Sequence, residues 1–270
     1  WNTINGRLLE MSPVPGIDTR LARHFEPILL PISLLYLLYN SAETLLIVQT
    51  AVIALGGLPI YWLARDRFQN EWMGVLFTSL YLLYPTVQGV NNFDFHPVAL
   101  SITFLLFTYH AVETDQRWRA IFFAVLAMSG KENIPLVIAM LGVFILLLRR
   151  DKKLGLFFVT IGATWFIVSF QVIIPAFVPD GISAYVGRYA TWGSSQGEIV
   201  MSFLTRPFDV LTYLTQPIKL HYYWDLLFPL AFLALFAPHW LLVSAPIFAI
   251  NLLSSTTGQS IADKNPYVSG

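Results

Sequence analysis

Long stretches of this chain contain no Asp, Glu, Lys or Arg, and their lengths set what it can fold into. Residues 44–64, 72–93 and 95–112 give charge-free runs of 21, 22 and 18 residues, and 154–179 give 26. Shorter runs cover 120–130 and 133–148. A run of 37 covers 226–262, too long for one crossing and broken at Pro238-His239. A helix rises about 1.5 Å per residue and a bilayer core is about 30 Å thick, so about 20 apolar residues make one crossing. Only 12% of the 270 residues are charged and 56% are hydrophobic. A soluble domain carries roughly a quarter charged residues and could not cover its surface with so few. Cytosolic enzymes and disordered chains are thereby excluded. Sixteen basic residues balance sixteen acidic ones, which leaves no basic stripe for nucleic acid. The absence of Cys removes disulfides, thiolate metal sites and thiol catalysis.

The pattern predicts an all-α integral membrane protein with about 8 transmembrane helices and an additional outer interfacial helix. The crossings are expected at 44–64, 72–90, 97–112, 118–131, 134–148, 154–178, 222–236 and 238–254. Half of the basic residues then fall in three tight loops on one side: Arg65 and Arg67; Arg117 and Arg119; Arg149, Arg150, Lys152 and Lys153. The positive-inside rule makes that side cytoplasmic. The other side carries residues 1–43, the loop 86–97, a long loop 179–221 and the tail after 254. Residues 118–148 read as a hairpin, the alternative being one broken helix. Residues 27–40 read as a helix lying at the outer interface, with a re-entrant or ninth crossing as the alternative. The whole of 1–270 forms one polytopic domain in this reading. The chain starts at Trp1 rather than Met and reads as a piece of a longer protein.

Three polar clusters fall on the outer side, each at a helix start and followed by Pro. His24 and Glu26 stand in R-H-F-E-P, Asp94 and His96 in D-F-H-P, and Lys131 and Glu132 in G-K-E-N-I-P. An ionisable group beside hydrocarbon is costly, so these are the leading site candidates. Asp94 can act as general base on an acceptor hydroxyl, or it can simply cap the helix that starts near Pro97. The pairs His24-x-Glu26 and Asp94-x-His96 supply ligands for a divalent cation only if they converge. Lys131 and Glu132 either neutralise one another or leave Lys131 to hold a phosphate. Arg188 and Lys219, in the long loop, can hold phosphate or be solvated charges. That loop also carries Tyr185, Tyr189, Trp192, Tyr213, Tyr222, Tyr223 and Trp224, as an interfacial belt does. Residues 199–214 are weakly amphipathic and suited to lie on the membrane. His110 and His239 read as packed side chains. No Walker A, G-x-G-x-x-G, H-E-x-x-H or G-x-S-x-G occurs.

The runs W-N-T-I-N-G-R, H-F-E-P-I-L-L, L-A-R, L-Y-P-T-V-Q-G-V-N-N-F-D-F-H-P-V-A-L and G-K-E-N resemble a bacterial family of multi-pass proteins, the domain of unknown function 2079. D-F-H-P is the most specific part of the likeness, which covers essentially the whole chain. That family is distantly similar to the GT-C membrane glycosyltransferases. The resemblance implies a bacterial inner-membrane protein that moves a sugar from a polyprenyl-phosphate donor to an acceptor at the outer, periplasmic face. Asp94 would be the catalytic carboxylate of the second outer loop. A first acidic residue would be expected just before W-N-T, outside this chain, with Asp18 and Glu26 as substitutes. His24, Glu26 and His96 would line the site, and Lys131, Glu132, Arg188 and Lys219 would face substrate. Partners would be membrane lipids, a polyprenyl-phosphate sugar and a membrane protein complex. A non-catalytic scaffold subunit is the alternative, and a transporter or flippase the third reading.

Overall fold

The computed structural model describes residues 1–11, 19–149, 151–178 and 187–255. Asp18, Arg150 and Tyr185 lie outside the described residues, as do the tail after 255 and the side chain of His239. The chain divides into two compact units, Trp1–Gly181 and Ile182–Gly270.

The described part of the first unit is built from helices α1 Leu29–Ser33, α2 Glu43–Leu55, α3 Gly57–Phe68, α4 Glu71–Leu82, α5 Pro85–Asn91, α6 Pro97–Glu113, α7 Arg117–Met128, α8 Ile134–Leu148, α9 Lys152–Val168 and α10 Ile174–Phe177. Local signals set their ends. Asn70 caps α4 through its side chain, and Asp151 caps α9 by accepting from the Leu154 N–H at 3.0 Å. Prolines open α5 and α6, where no N–H is needed. Pro175 cannot donate to the preceding turn, and the helix relaxes into a π turn at Ser169–Ile173 before it.

Glycines let neighbouring backbones touch. A Cβ on Gly142 of α8 would sit 2.7 Å from the Gly155 carbonyl of α9, and one on Gly162 would sit 2.5 Å from the Pro135 carbonyl. Small residues at such a seam give close van der Waals packing where no hydrophobic effect drives helices together. Gly74 serves α3 and α4 in the same way, its face being filled by the Tyr61 ring.

Residues 118–148 form a hairpin rather than one broken helix. Arg117, which opens α7, bonds Asp151 just beyond α8 at 2.8 Å through both nitrogens. The chain has therefore returned to the end it left.

Among the described residues two helical stretches are long and apolar enough to cross a bilayer, Glu43–Phe68 and Lys152–Phe177, each of 26 residues. A third qualifies if the pair Glu71–Leu82 and Pro85–Asn91, bent by 54°, counts as one span. The expected count of about 8 crossings is thus not supported by helix length. Pro97–Glu113 and Ile134–Leu148 are apolar but have 17 and 15 residues, and α7 has 12. At about 1.5 Å per residue each falls short of the core thickness. The stretch 222–236 is broken into the end of one helix and two 3₁₀ turns, Phe228–Leu230 and Leu233–Phe236. Residues 27–40 hold only α1 and the 3₁₀ turn Leu34–Leu37, also too short to cross.

The described part of the second unit contains α11 Gln196–Thr205, α12 Pro207–Leu214, α13 Pro217–Leu227 and α14 Pro238–Leu253. From residue 196 on, the expected long loop is therefore helical. Apolar side chains are exposed along α11 and α12, Val200, Met201, Leu204, Phe208 and Leu211, beside exposed Glu198 and Asp209.

Candidate functional site

One end of the first unit gathers the basic loops. Arg117 pairs with Asp151, and Arg149 pairs with Glu113. Trp62 of α3 stacks near Phe107 and His110 of α6, which brings the Arg65 and Arg67 end of α3 to the same side.

The opposite end gathers the three polar clusters. Ile28 N–H donates to the Ser129 carbonyl at 3.1 Å. The Gly130 backbone lies against the Pro97 carbonyl and the Ser101 hydroxyl at the start of α6. Ile28, Ile32 and Leu100 form a buried apolar cluster on which Phe95 packs. The segments around His24, Asp94 and Lys131 therefore share one end of the bundle. Each group there has a different environment.

Glu132 is 1% exposed. Its Oε1 meets His24 Nδ1 at 3.0 Å, and its Oε2 accepts from the Phe25 N–H at 3.2 Å. Of the two readings of Lys131 and Glu132, the mutual pair is not made: His24, 108 positions away, bonds Glu132 instead. Lys131 is half-buried and has no ion pair or hydrogen bond from its ammonium among the described residues. Glu26, 3% exposed, pairs with Arg20. Both buried acids are thereby tied to the segment that carries His24.

Asp94 is exposed. It does not cap α6, because the residue at the N-cap is His96, in an extended conformation with φ −128° and ψ 118°. His96 N–H donates instead to Gln49 Oε1 at 2.9 Å, and Gln49 Nε2 donates to the Val90 carbonyl at 3.2 Å. The His96 ring lies on the Asp94 carbonyl, Nδ1 to O at 2.8 Å, and stacks on Phe93. The Asp94 carboxylate is left with no hydrogen bond or ion pair among the described residues. Gln49, fully buried, is the residue that sequence reasoning missed. Its signal was a polar amide in the middle of a 21-residue charge-free run.

Asn133 Oδ1, next to Glu132 in the chain, is buried with no donor among the described residues. No group of three or more His, Asp or Glu suited to a metal ion occurs among them, so the two pairs do not converge as a divalent-cation site would require.

Arg188 and Lys219 belong to the second unit. Lys219 is 2% exposed. Its ammonium donates to the Ser254 carbonyl at 3.2 Å and lies over the Tyr213 ring at 4.9 Å. Burial pushes its pKa below the ordinary lysine value. Tyr213 Oη also donates to Ser254 O, Trp192 Nε1 donates to Leu253 O and Tyr189 Oη donates to Ile250 O. Three of the expected interfacial-belt rings thus fasten the last carbonyls of α14, and Lys219 places a cation at that helix's negative end. The Arg188 carbonyl accepts from the Ser255 N–H at 2.6 Å.

No curated protein and no solved structure matches this chain significantly. One family does match, over residues 1–261, and the chain belongs to it: the family of predicted membrane proteins of unknown function, DUF2079.

Proposed function

We propose that the chain transfers a sugar from a polyprenyl-phosphate carrier to an acceptor hydroxyl at the end of the first unit opposite the basic loops. The basic end faces the cytoplasm of a bacterial inner membrane by the positive-inside rule, which puts the site on the periplasmic side. One observation carries the reading. Asp94 is the acid at this end whose carboxylate is exposed and unengaged among the described residues, while Glu26 and Glu132 are held by Arg20 and His24.

In the proposed step the acceptor O–H gives its proton to Asp94 as its oxygen bonds the anomeric carbon. The bond from that carbon to the phosphate oxygen breaks, and polyprenyl phosphate leaves with the electron pair. The Lys131 ammonium is a point charge available to the departing phosphate. Asn133 Oδ1 is an acceptor that a sugar hydroxyl would satisfy.

The test is Asp94→Asn, followed by sugar transfer from a polyprenyl-phosphate donor in membranes. General-base loss is expected to slow transfer about 10²–10⁴-fold. Unchanged transfer at normal protein level overturns the proposal. It would favour the second reading, a scaffold subunit, which the structural engagement of Glu26 and Glu132 supports.

A further inference from the structure

The basic end holds a cleft that the proposed reaction does not use. Asp115, Arg117, Leu148, Arg149, Asp151, Lys152 and Lys153 line an open volume of about 920 Å³. Four cations face two carboxylates there, an excess of positive charge. Two of the cations have fixed duties, since Arg117 is bonded twice to Asp151 and Arg149 is paired with Glu113. Lys152 bonds the Leu146 carbonyl in the last turn of α8. The Lys153 side chain is exposed, and its ammonium has no ion pair or hydrogen bond among the described residues.

The apolar surface around the cleft decides what kind of anion fits. Lys152 and Lys153 begin one of the two helices long enough to cross a bilayer, so the cleft lies at the mouth of a span. Leu147 and Leu148 are exposed at the end of α8, and Leu156, also exposed, follows Lys152 by one helical turn. Trp118 and Phe122, outward and one turn apart, continue from Arg117. A ligand that presents phosphate to the lysines would thus meet exposed apolar surface on both sides. A free phosphate has no use for that surface, whereas a phospholipid's acyl chains cover it. We infer that this cleft binds the headgroup of an anionic phospholipid, with Lys152 and Lys153 on the phosphodiester and the acyl chains along Leu147, Leu156, Trp118 and Phe122. Basic pockets between helix ends at a membrane surface suit this chemistry.

The test uses the purified full chain in neutral detergent and counts bound lipid by native mass spectrometry. Phosphatidylglycerol, phosphatidylcholine and glycerol 3-phosphate are compared. Phosphatidylglycerol is expected to bind, with affinity falling about fivefold for each lysine removed in Lys152→Gln and Lys153→Gln. The pair Arg65→Gln and Arg67→Gln removes equal charge at the same end but outside the cleft, and is expected to leave binding unchanged. Lys152→Arg with Lys153→Arg is expected to retain it, which separates lost binding from lost folding. Equal binding of phosphatidylcholine overturns the inference, as does equal binding of glycerol 3-phosphate. An equal loss from the Arg65 and Arg67 pair also overturns it, since the attraction would then belong to the whole surface.

Discussion

The two ends of the first unit use the same chemistry in opposite surroundings. At the basic end, Arg117 with Asp151 and Arg149 with Glu113 pair where all four side chains still reach water. At the other end, Glu26 and Glu132 are almost sealed, and their partners Arg20 and His24 are only partly exposed. An exposed pair adds little, because water re-solvates whichever partner remains. A buried carboxylate is tolerated only while its acceptors are filled, and its donors suffer when it goes. The difference separates Glu26 and Glu132 from Asp94, whose carboxylate is exposed and unengaged among the described residues. Glu26 and Glu132 tie the 20–28 segment to the α7–α8 turn, whereas Asp94 ties nothing.

The sharpest way to break this comparison is Glu132→Ala. It removes a buried acceptor from both His24 Nδ1 and the Phe25 N–H, and leaves a void among packed residues. The expected loss is about 2–4 kcal/mol. The check is chemical unfolding in detergent beside Asp151→Asn, whose loss should be a small fraction of that. Equal losses would mean that burial does not distinguish the two ends.

Lys219 supplies a third setting, a buried cation with no carboxylate partner among the described residues. Lys219→Met keeps the apolar stem and drops the charge. Tyr213 still donates to Ser254 O, so no carbonyl is orphaned. The second unit should then change by less than about 1 kcal/mol, or gain slightly. The pH dependence gives the sign. With the folded pKa below the unfolded 10.5, the unfolded chain holds more protons between the two values. Wild-type stability should rise with pH across that interval relative to Lys219→Met, and be pH-independent relative to it below the folded pKa. A falling difference would mean that the ammonium is stabilised where it sits.

Much of this was legible in the chain. Charge-free runs placed α2–α3, α6, α8 and α9 within a few residues, because apolar length is a local property. The number of crossings was not legible, since a charge-free run does not say where the 3₁₀ turn at Phe228–Leu230 or the turn at Gly130 will cut a helix short. His24, Glu26, Asp94, His96, Lys131 and Glu132 stood out because ionisable groups are conspicuous beside hydrocarbon. Which of them pair was not legible. The bond from His24 to Glu132 spans 108 positions, and nothing nearby in the chain distinguishes it from the neighbouring Lys131. Lys219 and the rings of Tyr189, Trp192 and Tyr213 looked like surface groups. Their role depends on where the end of α14 comes to rest, which no local pattern encodes.

The smallest effect belongs to the exposed pair, and acid titration can isolate it. The Arg117 guanidinium, with help from the Leu154 N–H, holds the Asp151 carboxyl below its ordinary value of 3.8. A depressed carboxyl contributes stability that is complete above the unfolded value and is lost as pH falls through the folded one. The contribution therefore disappears below about pH 4 and is constant at neutral pH. Asp151 also caps α9, so Asp151→Ala would mix two losses. Asp151→Asn keeps a good cap and removes the charge together with one of the two oxygens that accept from Arg117. The variant should lie slightly below wild type at pH 7 and converge with it as the pH is lowered through that range, by unfolding midpoints in detergent. High salt should close most of the gap at pH 7, because an exposed pair is screened. A gap that survives both acid and salt would show that the basic end is held as tightly as the end that carries Glu132.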